Sequence, residues 1–196
     1  MKVINQVFPI AIEEANELFN YAIDIDDFIK KQPPEEASNK IGKLITANIM
    51  LGLSIEIYLK AFMIAGRIDG LVKGHNLMRL YDTFPVFLKK AIEKKYNSFD
   101  KTNVESLQIA LMFSKERPST PKREMANDYD INDFNSTLVS ISNIFTNSRY
   151  FFEGINEKEW TIFDYFFEPG KLIALSLKHV LDDYLGGKFA NSNNVL

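Results

Sequence analysis

Between Ala47 and Leu80 the chain fixes more of its own fold than anywhere else. Leu51, Ile55, Tyr58, Leu59 and Phe62 recur at spacings of three and four, which is one face of a helix. Met50, Leu53, Ile57 and Ile64 widen that stripe, so the helix is predicted to be buried on most sides. It is expected to begin near Ser38 and run to about Ala65. At ~1.5 Å per residue that is about 40 Å, enough to span a small domain. Glu56 and Lys60 stand one turn apart within it and are expected to pair. Gly42 and Gly52 lie in its interior, where glycine costs about 1 kcal/mol against alanine. Each is therefore expected to mark a close approach by another element. Gly66 and Gly70 punctuate the chain, and Asn76 is placed to cap a following helix with Leu77 and Leu80 inward.

The rest of the chain reads as helices around this one. Pro9–Lys31 is expected to be the first, with Pro9 in its first turn and Ile12, Ala15, Leu18, Phe19, Ala22 and Ile25 as its apolar stripe. Asp24, Asp26 and Asp27 are read as a solvated helix face rather than a cation site, since no oxygen-rich loop follows; no metal site is expected. Prolines 33 and 34 end this helix. Pro85–Tyr96 is a helix with Lys89, Lys90, Lys94 and Lys95 outward, a solvated face rather than a nucleic-acid contact. Val104–Phe113 is expected to be a further short helix, and 114–129 a long basic loop with Lys115, Arg117, Lys122 and Arg123. Ile131–Tyr150 is expected to be one long helix with an almost uncharged polar face. Phe151–Phe167 is rich in aromatics, read as a packing layer or dimer surface in preference to a base-stacking platform. Gly170–Leu185 closes the domain as an amphipathic helix. The expectation is an all-α fold, an up-and-down helical bundle with extra helices and a long basic loop. It forms a single domain with its core over 9–185 and a frayed tail over 186–196.

A chain of 196 residues with 46% hydrophobic and 25% charged residues can bury a core of its own. A formal charge of −3 gives no global basic footprint, so contact with nucleic acid would need a local patch. With no cysteines there are no disulfides and no thiolate chemistry. No signal peptide and no membrane span are expected, and the chain is read as cytoplasmic. No cofactor signature is present: there is no Walker-type loop, no His-Glu-x-x-His and no Gly-x-Ser-x-Gly.

The candidate functional residues fall in two places. His75 has two readings. It hydrogen-bonds a backbone carbonyl and pins its loop, or it meets phosphate as an acid, base or cation. Lys73, Arg67 and Arg79 surround it in sequence, either as a cationic patch beside the start of the next helix or as scattered surface charge. Arg149, followed by Tyr150, comes at the end of a very apolar segment. It either pairs with a carboxylate, Glu56 or Glu153 being the candidates, or faces phosphate.

These pieces, in this order, resemble the HEPN superfamily of nucleotide-binding helical domains. The matching residues are Glu56, Lys60 and Ala61 in the apolar helix, then Gly74-His75-Asn76-Leu77, then Arg149-Tyr150. The resemblance implies a helical bundle acting as a homodimer that binds nucleotide, RNA or a partner protein, in a bacterial defence or toxin–antitoxin setting. Its ligand-binding candidates would be Arg149, Tyr150, His75, Lys73, Asn76 and Arg79, with Glu56, Lys60 and Gly74 as structural motif. Members that cleave RNA carry Arg, four to six residues, then His. No arginine here has a histidine at that spacing; Arg67 precedes His75 by too many residues and across a loop. A non-catalytic binding module is therefore the first expectation. The alternatives are a divergent, metal-independent ribonuclease using Arg149 and His75, and a structural or interaction protein with no ligand.

Overall fold

The computed structural model describes residues 2–33, 37–66, 74–102, 104, 107–112, 130–142 and 160–189. The fold is an all-α bundle. Its helices are α1 (Lys2–Lys30), α2 (Ala37–Ala65), α3 (Leu77–Asp82), α4 (Val86–Asn97), α5 (Phe134–Ile141) and α6 (Phe167–Leu185). A small antiparallel ladder is attached, β1 (Leu107–Met112) against β2 (Trp160–Tyr165), with Leu107 opposite Tyr165 and Met112 opposite Trp160.

The periodicity of α2 is realised directly. Leu44, Ala47, Leu51, Ile55, Tyr58, Leu59 and Phe62 are all buried. By length and composition Lys40–Ala65 would suffice to cross a membrane, but 67% of its most apolar window is buried inside the fold, so the core accounts for its apolar character. On α1 the buried positions are Ala15, Phe19, Ala22 and Asp26, again spaced by three and four. The two helices run antiparallel: Lys43 lies over the ring of Phe28, 3.6 Å from its centroid, while Tyr58, further along α2, donates to Asn16 Oδ1 at 2.7 Å. α6 packs on α2, with Ile173, Ala174 and Leu177 buried, and α4 packs on α6. Aromatic rings join α3, α4 and α5: Phe134 is 4.9 Å from Tyr81 and 5.4 Å from Tyr96, centroid to centroid.

Four expectations change. The first helix does not start at Pro9, which lies inside α1; Phe8 packs on the core, and this tertiary contact outweighs the proline's loss of a backbone donor. Residues 107–112 form a strand, not a helix, because they pair with β2. The helix expected over 131–150 starts later, at Phe134, and stops at Ile141, while 143–150 lie outside the described residues. Asp133 caps its start, accepting from Asn135 N at 3.0 Å, and Ser142 is its C-cap. Gly42 marks no close approach, since a Cβ there would meet nothing within 4 Å. The close approach to α2 comes from a glycine on the opposing helix: a Cβ on Gly170 of α6 would stand 2.8 Å from Leu51 Cδ2. Gly52 is buried and lines the same gap as Gly170.

Candidate functional site

The site is built where the C-terminal half of α2 meets the turn before α3. Glu56 is set on the largely apolar α2 and is only 3% exposed. A carboxylate there needs partners, because an isolated buried charge is strongly unfavourable. It has two. Oε1 accepts from Lys60 Nζ at 2.5 Å, one turn along the helix, as the spacing predicts. Oε2 lies 2.8 Å from His75 Nδ1. The imidazole is therefore held by a side-chain carboxylate, and its own side chain remains 52% exposed.

Local backbone chemistry positions the ring. Gly74 has φ 119°, a region that side-chain-bearing residues rarely adopt, and it turns the chain immediately before His75. Asn76 then caps α3 as its sequence predicts, accepting from Arg79 N at 2.8 Å, and Leu77 and Leu80 are buried below. Ser142 Oγ accepts from Met78 N at 3.1 Å and joins the end of α5 to the same turn. Two donors of the first turn of α3 are thus already used by side chains of this protein.

The structure brings Glu56, Lys60, Gly74, His75 and Asn76 together, with Arg79 exposed on α3. Arg67, Lys73, Arg149, Tyr150, Glu153 and the basic loop 114–129 lie outside the described residues. The His75–Glu56 link was not anticipated. The two residues are nineteen apart, and the one signal in the sequence is a lone acid in an apolar helix, which must find cations.

A second polar cluster overturns the reading of one α1 acid, whereas Asp24 and Asp27 are exposed. Asp26 is 2% exposed rather than solvated. It accepts from Tyr165 OH at 2.7 Å, and Lys30 Nζ lies 2.6 Å from its other oxygen. Lys30 also binds Glu168, which has Lys171 at 3.6 Å. Burial, reinforced by the hydrogen bond to Asp26, pushes the Tyr165 phenol upward. Burial of Lys30 opposes its charge, but its bonds to Asp26 and Glu168 prevail and raise it. Burial of Glu168 is likewise outweighed, by Lys30 and Lys171, and its carboxyl is lowered. The cluster locks α1 to the junction of β2 and α6. Of the aromatic segment, Tyr165, Phe166 and Phe167 are buried; the rings of Tyr165 and Phe167 stack 5.7 Å apart at 14°, a packing role. Among the described residues no group of acids, histidines and cysteines is arranged to hold a metal.

A scan against protein-family models finds no match, and comparisons with curated proteins and with solved structures find none either.

Proposed function

We propose that the protein is a HEPN-like helical module that binds nucleotide or RNA at the corner formed by Glu56, Lys60 and His75, as a non-catalytic homodimer. The observation that carries this reading is the half-exposed imidazole of His75, fixed by a buried carboxylate with Lys60 beside it. Held through Nδ1, the ring can donate through Nε2 only in its charged form, and that form with the Lys60 ammonium beside it suits phosphate oxygens. The motif order supports the same reading, as does the missing Arg-to-His spacing, which speaks for binding over cleavage. The homodimer, the defence setting and the involvement of Lys73, Arg149 and Tyr150 rest on the resemblance alone.

The carboxylate–imidazole pair also favours a second reading, a metal-independent ribonuclease in which Glu56 orients His75 for proton transfer beside Arg149. One experiment separates them. Purified protein is incubated with labelled single-stranded RNA in the presence of a chelator, and both binding and cleavage are followed. Retention of intact RNA supports the binding module. Cleavage lost in both His75→Ala and Arg149→Ala supports the ribonuclease. Neither binding nor cleavage, with ATP also failing to bind, removes both.

A further inference from the structure

The outer face of α1 carries Ile10, Glu14, Glu17, Tyr21, Asp24 and Phe28, all exposed. Their spacings alternate four and three, so they form one seam along the helix, made of three apolar or aromatic side chains and three acids. Its apolar members are more than ordinarily open: Ile10 is 62%, Tyr21 56% and Phe28 45% exposed. Beside the C-terminal half of the seam runs a crease of about 380 Å³ between α1 and α2, lined by Tyr21, Asp24, Ile25 and Phe28 on one side and by Gly42, Lys43 and Thr46 on the other. No atom lies within 4 Å of where a Gly42 Cβ would stand, so the crease is open at that point.

Charge selects the occupant. From residue 10 to residue 29, α1 carries Glu13, Glu14, Glu17, Asp24, Asp26 and Asp27 and no lysine or arginine. Among the described residues, Asp26 is the only one of these with an ion-pair partner. Lys43, over Phe28, is the one cation among the described residues lining the crease. A phosphate backbone is repelled by such a face. A second copy presented two-fold would set the same acids against themselves. We infer that the α1–α2 crease is a docking surface for a basic amphipathic helix of a partner protein. Its apolar residues fill the crease against Tyr21 and Phe28, and its lysines or arginines meet Glu14, Glu17 and Asp24. This inference uses a different face from the His75 corner and stands or falls separately.

The probe is a fluorescein-labelled helical peptide of leucines at alternating spacings of three and four with lysine elsewhere, compared with the same peptide carrying glutamate for lysine. Binding to the full chain is read by anisotropy at low and high salt. The lysine peptide is expected to bind and the glutamate peptide not, with affinity falling as salt rises. The double variant Tyr21→Ser/Phe28→Ser and the triple variant Glu14→Lys/Glu17→Lys/Asp24→Lys should each lose about tenfold or more in affinity, with circular dichroism confirming that both remain folded. Equal binding of both peptides, or binding unchanged in both variants, overturns the inference. So does concentration-dependent self-association of the wild type that the Tyr21→Ser/Phe28→Ser variant abolishes, since the occupant is then a second copy.

Discussion

Glu56 lies beneath His75, its Oε2 2.8 Å from the imidazole Nδ1, while its Oε1 holds Lys60 at 2.5 Å. One buried carboxylate thus ties the middle of α2 to the turn before α3. Glu56→Gln keeps the shape and removes the charge. Both partners retain exposed surface and can recover water, so the loss is expected to be about 1–2 kcal/mol. Urea unfolding should show a lower midpoint with an unchanged slope. An unchanged midpoint would mean that the corner contributes nothing to the fold.

Two helix glycines should respond with opposite sign. Gly170→Ala places a Cβ 2.8 Å from Leu51 Cδ2, which must turn aside into the small gap it lines, and this clash less the helix gain of alanine gives an expected net cost of about 1 kcal/mol. Gly42→Ala meets nothing within 4 Å on an exposed face of α2 and should stabilise by about 0.5–1 kcal/mol. Thermal melting of the two variants beside wild type checks both signs at once.

The turn that presents His75 depends on Gly74 and Asn76. Gly74→Ala must hold φ near 119° and is expected to cost about 1–3 kcal/mol. Asn76→Ala removes the acceptor of Arg79 N and should cost about 1 kcal/mol. Chemical denaturation measures each. An NMR titration of His75 Hε1 against labelled RNA would show whether the Gly74 variant also loses ligand response.

The Lys30–Asp26–Glu168 cluster gives stability a defined pH window. The Glu168 carboxyl is lowered in the folded state, so its contribution is complete above its ordinary value of 4.5 and is lost as pH falls through the folded value. Lys30 is raised, so its contribution is complete below its ordinary 10.5 and is lost as pH rises through the folded value. The melting-temperature difference between wild type and Glu168→Gln should be greatest between those limits and should shrink in acid. A difference that is constant across pH would contradict this cluster's role.

The parts of the fold legible in the sequence are those whose signal is local. The apolar spacing of α2, the Asn76 cap with Leu77 and Leu80 inward, and the stripe of α6 each need only neighbours in the chain. β1 was not legible, because six mostly apolar residues suit a short helix or a strand equally well. What decides between them is β2, about fifty residues further on, whose Thr161, Ile162 and Phe163 carry β-branched and aromatic character that argued for a strand. Asp24, Asp26 and Asp27 differ in sequence by register alone: Asp26 continues the spacing of Ala15, Phe19 and Ala22, and Tyr165 supplies its partner there. At the candidate site the Glu56–Lys60 pair followed from helix geometry. The His75 contact did not, because a loop separates its two residues and nothing in their spacing records where that loop returns.

Binding of nucleotide or RNA at the His75 corner can be read by fluorescence anisotropy. Labelled single-stranded RNA and a labelled ATP analogue are titrated with wild type and with His75→Ala, at low salt and under conditions where both proteins are shown to be folded. Wild type is expected to bind at least one ligand saturably, and the variant to lose about tenfold or more in affinity. Binding by the variant equal to that of wild type, or no binding of either ligand by wild type, would contradict binding at this corner.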